Sequence, residues 1–386
     1  MVNKLDSYGG IKTVSSKGTG YFRIEKKDAR WLLLDPDGNA FLSIGVNHAD
    51  NTNLMFPHNY EIYKSRYGTG EKWAKEGLAK DLRDWGFNTV GWSQELISGV
   101  RPNKIDWFKD FIDFGHSDGL PANLLIASGM PYFTSIRVQE IEDWNAYPNF
   151  RDMSSPKFYE HCDYLARKIC LEHADSKNLI GYFFVDIPAW TKHTQGRDFK
   201  ELQNLTPEER EIKIYDVASK YYETMTEAVR RYDSKHLIFG DRYHGNKGIP
   251  EGVLRAMKPY VDVLSIQYFC NGTAESHEKM VEDFTKWQAI ADKPVLNADI
   301  GNRCPTKMRP NVEGQMPDER GRGLDYAHSL RGLLKQPWFI GWHWCSYLEN
   351  PIRGCGLKDP WDEPYTDMID IVREFNQSAY DEVFGD

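Results

Sequence analysis

The sequence has no apolar run that approaches the roughly 20 residues of a membrane-spanning helix. It also has no excess of positive charge. Its formal net charge of −9 at pH 7 argues against a general binder of nucleic acids or membrane surfaces. We therefore predict neither a nucleic-acid partner nor a membrane span. The sequence carries no signal for an oligomeric state.

Local metal-binding and nucleotide-binding motifs are missing as well. None of the six cysteines stands in a Cys-x-x-Cys pair, and the histidines show neither His-x-His nor His-Glu-x-x-His spacing. No Gly-x-Gly-x-x-Gly follows the first predicted strand, and there is no phosphate-binding loop. We therefore predict no metal site and no cofactor. Cys345 and Cys355 are a possible disulfide pair by position alone.

Eight apolar segments of strand length alternate with segments that are helical or long enough to cross back. They begin at about residues 41, 87, 131, 180, 236, 261, 294 and 338. This alternation predicts the α/β class and a single (β/α)8 barrel, in one domain over residues 1–386. A doubly wound sheet is the alternative. No stretch has the composition of a domain linker.

Several local patterns complete the predicted architecture. The turn sequence at 35–39 lies between two apolar runs, so residues 21–47 are predicted to form an N-terminal β-hairpin. Apolar residues at helical spacing predict a helix over residues 78–85 that stops at Gly86. Polar segments without strand signals, at 191–212 and 302–322, predict long βα loops over the rim of the barrel.

The most apolar predicted strand, residues 180–185, ends in a carboxylate. A strand that is apolar on both faces is typical of a parallel barrel, where the functional groups lie at the carboxyl ends of the strands. Asp186 follows this strand, and Pro188 and Trp190 come directly after it. The alternative is that Asp186 only caps the next helix.

A second acid, Asp299, ends the seventh predicted strand. Two carboxylates at one end of a barrel suit glycoside hydrolysis, in which one protonates the leaving oxygen and the other attacks the sugar or activates water. The other strand ends also carry polar or aromatic side chains, which we predict to bind substrate, although caps and satisfied hydrogen bonds are the simpler explanation for each one. These are Asn47, His48, Trp92, Arg137, Trp190, Asp241, Arg242, His244, Gln267, Tyr268, Arg303, His343 and Trp344.

Three segments, at 31–47, 181–190 and 341–344, resemble the agarase-like enzymes of the large clan of barrel glycoside hydrolases. The resemblance runs in patches over nearly the whole chain. It implies hydrolysis of an algal galactan of agar or porphyran type, with an oligosaccharide or polysaccharide as the partner. It also favours a secreted or periplasmic protein, although no signal peptide is visible at the start of this sequence.

The sequence departs from that clan at the decisive positions. The clan places Asn-Glu at the end of strand four and Glu at the end of strand seven, where this chain has Asp186 and Asp299. Barrel enzymes that cleave α-linked sugars, including fucosidases, use an Asp on strand four as nucleophile. A fucanase-type hydrolase is therefore an alternative, with Glu251 as a further candidate for the acid. A barrel that binds carbohydrate without hydrolysing it is another.

Basic residues are frequent at the predicted rim, although the protein as a whole is acidic. Guanidinium groups match the oxygens of sulfate and carboxylate. We therefore predict a sulfated substrate, recognised by Arg137, Arg242 and Arg303. Ordinary solvation and ion pairs with the nearby acids are the alternative.

Overall fold

The computed structural model describes residues 4–55, 57–96, 116–136, 152–188, 190, 199–311, 315–349 and 356–385. Eight parallel strands close into a barrel in chain order, and the last pairs with the first. The predicted (β/α)8 barrel is confirmed, and each predicted strand corresponds to one strand of the barrel. These strands are β5 (Ser43–Asn47), β6 (Thr89–Val90), β9 (Tyr132–Ser135), β10 (Leu179–Asp186), β11 (Leu237–His244), β12 (Leu264–Gln267), β13 (Val295–Ile300) and β14 (Phe339–Cys345).

An antiparallel sheet precedes the barrel. Its strands are β1 (Ile11–Ser15), β2 (Arg23–Lys27), β3 (Arg30–Leu34) and β4 (Asn39–Phe41), in the order β1-β4-β3-β2. The predicted hairpin is confirmed in the pairing of β3 with β4 across the turn at 35–38. The apolar segment that begins at residue 41 is interrupted at Leu42, and the residues after Leu42 form the barrel strand β5. A separate two-stranded sheet consists of β7 (Gln94–Leu96) and β8 (His116–Gly119).

Helices follow the barrel strands and cover the outside of the barrel. The described helices are α1 (Thr52–Met55), α2 (Tyr60–Arg66), α3 (Gly70–Lys72), α4 (Ala79–Asp84), α5 (Ala122–Ser128), α6 (Pro156–His173), α7 (Pro207–Tyr232), α8 (Glu251–Met257), α9 (Ala274–Ala291), α10 (Glu319–Leu334) and α11 (Thr366–Phe384); a π-helical turn (Trp73–Leu78) joins α3 to α4. None of these helices is long and apolar enough to cross a membrane.

The two predicted βα loops, at 191–212 and 302–322, were extended too far toward the helices that follow them. Residues 207–212 are the first turns of α7, which begins with a proline and a capping box between Thr206 and Glu209. The charged side chains of these residues lie on the solvent side of the helix. Because the segment is polar and lacks a strand signal, it was predicted to be a loop. In the same way α10 begins at Glu319, with Asp318 as its N-cap. The predicted helix stop at Gly86 is confirmed, since that residue has a φ of 79°.

Aromatic side chains fill the barrel interior. The rings of Phe133 and Phe183 stack with centroids 4.7 Å apart, and Phe239 meets Phe133 edge to face at 4.7 Å. Trp92 packs next to Phe183 with centroids 6.1 Å apart. The interior is therefore a packed layer that supports the polar groups at the carboxyl ends of the strands, as is usual for this fold.

The turn between β3 and β4 holds a buried carboxyl group whose protonation contributes to stability. Burial and the hydrogen bond with Asp6 raise the pKa of Asp35 to about 7. A raised pKa stabilises the folded state below the unfolded value, near pH 4, and this contribution is lost as the pH rises through 7. We expect the free energy of unfolding to fall between pH 5 and 8 by about 1–2 kcal/mol, a range that allows for solvent screening.

Asp35→Asn should abolish that fall, because the amide imitates the protonated acid. The measurement is urea unfolding at several pH values, with the exposed Asp37→Asn as the matched control. An unchanged pH slope in Asp35→Asn would contradict this account.

Candidate active site

The two predicted acids lie on either side of one arginine. Arg242, on β11, is fully buried and donates from Nη1 to Oδ1 of Asp186 at 2.6 Å. Its Nη2 lies 3.4 Å from Oδ2 of Asp299 and donates to the carbonyl of Ala298 at 2.8 Å. One planar guanidinium thus connects the ends of strands four and seven of the barrel. Asp186 is 2% exposed and Asp299 is 4% exposed, so both carboxyl groups are buried together with the guanidinium.

Amide side chains orient the same carboxylates. Gln267 donates to Oδ1 of Asp186 at 2.5 Å, and Asn47 donates to Oδ1 of Asp299 at 2.6 Å. Asn47 also accepts a hydrogen bond from the backbone of Trp92 at 2.8 Å, which fixes the orientation of its amide. Four predicted site residues therefore form one hydrogen-bonded cluster with Arg242.

Aromatic groups lie below this cluster. The guanidinium of Arg242 lies over the ring of Trp92, 4.9 Å from its centroid. Burial and the charge of Arg242 lower the pKa of His343 well below its usual value, so the imidazole is neutral. His343 shares a hydrogen bond of 2.9 Å with Ser43. A Cβ at Gly45 would lie 2.5 Å from this ring, so the close approach requires glycine.

Two residues at the barrel mouth have backbone angles that L-amino acids rarely adopt. His48 follows Asn47 with a φ of 46°, and Ile187 follows Asp186 with a φ of 43°. A β-branched residue at positive φ is a clear outlier, and such strain is concentrated at functional sites. The backbone N–H of Ile187 donates to the carbonyl of Arg242 at 3.1 Å, which holds the end of β10 against β11.

Asp241 lies on the opposite side of β11 from its neighbour Arg242. It accepts hydrogen bonds from the hydroxyls of Tyr221 and Tyr222, at 2.8 and 2.7 Å, and from the indole of Trp190 at 3.1 Å. Burial raises the pKa of Asp241 to about 6, although these donors oppose the shift. The structure therefore places Asp241 behind the strand, against helix α7.

Three aromatic residues that were predicted to bind substrate make contacts outside the cluster around Arg242. Trp190 is 2% exposed and stacks on Phe199 with ring centroids 4.4 Å apart. Tyr268 donates to Asp283 of helix α9 at 3.0 Å. Trp344 packs against Tyr326 of helix α10, with centroids 5.4 Å apart. These contacts favour positioning roles for all three.

Three further predicted residues lie at or just beyond the ends of a helix or a strand. Glu251 is the first residue of α8 and pairs with Arg255 at 3.4 Å. Arg303 is exposed in the segment after β13, and His244 ends β11 in a half-buried position. Arg137 lies outside the described residues.

Glu349, which was not among the predicted site residues, is fully buried beyond β14. It accepts hydrogen bonds from Thr306 at 2.7 Å and from the hydroxyl of Tyr365, and burial raises its pKa. Cys345, the last residue of β14, was predicted only as a possible disulfide partner of Cys355. The ligand atoms of Cys345, His48 and Asp299 all lie within 4.8 Å of one another. His48 and Asp299 were predicted only as residues that bind or hydrolyse a sugar.

Comparisons with known proteins show what the whole chain is similar to. The chain is 19% identical to beta-agarase B of Vibrio sp. (strain JT0107), over 94% of this chain and 49% of that protein. Beta-agarase A of the same strain is 20% identical, over 97% of this chain and 47% of that protein. The chain is similar to beta-agarases. The resemblance expected from the sequence is thus confirmed, although the chain spans only about half the length of these relatives.

Solved structures support the same fold. The crystal structure of an agarase, AgWH50C, superposes with a TM-score of 0.74 at 19% identity and covers 99% of this chain and 67% of that one. The crystal structure of BpGH50 also gives a TM-score of 0.74 at 19% identity, over 99% of this chain and 87% of that one. No family model matches the sequence. At these identities the superpositions establish the barrel fold.

Proposed function

We propose that this protein is a glycoside hydrolase that cleaves an agar-type galactan. The observation that carries the proposal is the pair of carboxylates, Asp186 and Asp299, at the mouth of a barrel similar to that of beta-agarases. Residues 1–386 would act as a single catalytic domain, in a secreted or periplasmic protein. The substrate is a polysaccharide or its oligosaccharides.

Hydrolysis assigns two tasks to the two carboxyl groups. One protonates the glycosidic oxygen as the bond to the anomeric carbon breaks, and the other attacks that carbon or removes a proton from the incoming water. The shared contact with Arg242 keeps the pair on one side of the barrel mouth. Gln267 and Asn47 supply the hydrogen bonds that hold each carboxylate in a fixed orientation.

The proposal extends to anionic substituents on the galactan, as in porphyran. The charge of Arg242 is already engaged by Asp186 and Asp299. Arg303 is exposed beyond the carboxyl end of β13, where it can reach a substituent outside the reacting bond. Arg303 is therefore the described arginine best suited to bind a sulfate group.

A second candidate function is binding of carbohydrate without hydrolysis. The observation that favours it is the pairing of both acids with one buried guanidinium, together with the absence of the clan's two glutamates. A sulfated fucan remains the alternative substrate if the strand-four Asp186 acts as the nucleophile on an α-linked sugar.

A screen for new reducing ends over agarose, porphyran, carrageenan and fucoidan separates these functions. We expect release from agarose or porphyran at a rate well above that of the Asp186→Asn variant. Release from fucoidan alone would favour the fucanase alternative. Calorimetric binding of agarose oligosaccharides without any new reducing ends would contradict hydrolysis and support the binding barrel.

A further inference from the structure

Three neighbouring strands place metal-binding side chains together at the barrel mouth. His48 follows β5, Asp299 lies near the end of β13, and Cys345 ends β14. These strands are consecutive in the closed barrel, in the order β13-β14-β5. Cys345 pairs directly with Asn47, the residue before His48. The cluster is therefore built on the rigid part of the fold.

The ligand atoms lie within reach of one another but farther apart than in a tetrahedral zinc site. One imidazole nitrogen, one carboxylate oxygen and the thiol sulfur all lie within 4.8 Å of one another. Zinc bonds of about 2.0–2.3 Å would separate these atoms by about 3.3–3.8 Å. Side-chain movements of about 1 Å would close the site around an ion.

The carboxylate of Asp299 already contacts the guanidinium of Arg242, 3.4 Å from Oδ2, so the ion and the guanidinium would share this carboxylate. Metal-binding carboxylates are oriented by hydrogen bonds from outside the coordination sphere, and Asn47 donates such a bond to Asp299 at 2.6 Å. The backbone of His48 is held by its N–H bond to the carbonyl of Trp92 at 2.5 Å. Its φ of 46° is a further sign of a position constrained by function. Cys345 is buried and His48 is half-buried, so the site is partly shielded from water.

We propose that His48, Asp299 and Cys345 bind a zinc ion. A set of imidazole, thiolate and carboxylate suits Zn²⁺, and three protein ligands leave the fourth position to water. Binding releases the thiol proton of Cys345 to solvent, so affinity rises with pH. The local spacing rules missed this cluster because each ligand comes from a different strand.

The ion has a consequence for catalysis, which rests on the proposed function. Asp299 cannot coordinate zinc and also act on the sugar, so bound zinc should inhibit hydrolysis and a chelator should restore it. The binding of the ion itself does not depend on hydrolysis.

The test is a titration of the chelator-treated protein, residues 1–386, with Zn²⁺, followed by calorimetry. We expect one ion per chain, and a Kd raised at least about 100-fold in Cys345→Ser and in His48→Asn. Asparagine tolerates positive φ, so His48→Asn should keep the local backbone. The matched control is Cys304→Ser, since Cys304 contacts Glu319 and Pro305 away from the cluster.

Cobalt provides a second readout that does not require activity. Co²⁺ in this site should show a thiolate-to-cobalt absorption band in the original protein and in Cys304→Ser, but not in Cys345→Ser. Equal zinc affinity in all variants, or no stoichiometric binding, would overturn the proposal. If the protein binds zinc but releases no reducing ends, only the proposed hydrolysis is refuted. If the protein hydrolyses the polysaccharide at the same rate with and without zinc, only the proposed inhibition is refuted.

Discussion

Asp186→Asn is expected to lower turnover on agarose by about two to four orders of magnitude, the usual contribution of a positioned acid or base. The amide keeps the shape of the side chain, and its oxygen can still accept from Arg242 or Gln267. The fold should therefore persist, as checked by circular dichroism and thermal unfolding. Turnover within a few-fold of the original protein would remove the carboxylate pair from the mechanism.

Asp299→Asn is the companion variant, and an activated aryl glycoside separates the two roles. Loss of the proton donor should spare a substrate with a good leaving group, whereas loss of the nucleophile or base should not. The same comparison decides which of Asp186 and Asp299 has each role. The stereochemistry of the product then distinguishes retention, the outcome in the resembling clan, from inversion.

Glu251→Gln is the matched control for both variants. Glu251 begins α8, where its side chain is exposed to solvent and pairs with Arg255. We expect its replacement to leave turnover nearly unchanged. If Asp299→Asn retained activity on the polysaccharide while Glu251→Gln abolished it, the assignment to the seventh barrel strand would be wrong.

The barrel itself could be predicted because its signals are local. Each buried parallel strand is a short apolar run, and each crossing segment has its own helical spacing and stop signals. The chain order of the strands then leaves few topologies for a closed sheet. For the same reason the polar groups at the strand ends could be predicted as a set.

The direction of each side chain at the barrel mouth could not be predicted in this way. Asp241 and Arg242 are adjacent in sequence, but one faces helix α7 and the other faces the acids. Pairing register shifts within β10 before Asp186, and between β12 and β13 before Asp299. Such irregularities change which face a residue occupies, so strict alternation fails where the site is built. The cluster of His48, Asp299 and Cys345 was missed for a related reason, since it exists only when three strands are side by side.

Replacement of Arg242 is expected to have the largest effect on stability. Its guanidinium is fully buried and compensates two carboxylates that are almost fully buried themselves. Removing one partner of a buried ion pair leaves an uncompensated charge and typically costs about 3–5 kcal/mol. Arg242→Met should therefore lower the free energy of unfolding at neutral pH by about that amount, as measured by urea denaturation.

Replacing the two acids should reduce the stability that Arg242→Met loses. The triple variant Asp186→Asn, Asp299→Asn, Arg242→Met should recover much of the stability, since a neutral set no longer buries unpaired charge. Arg303→Ala, at an exposed arginine, is the control and should change stability by less than about 0.5 kcal/mol. A small effect of Arg242→Met, or no recovery in the triple variant, would mean that packing over Trp92, and not charge compensation, is what Arg242 contributes to the fold.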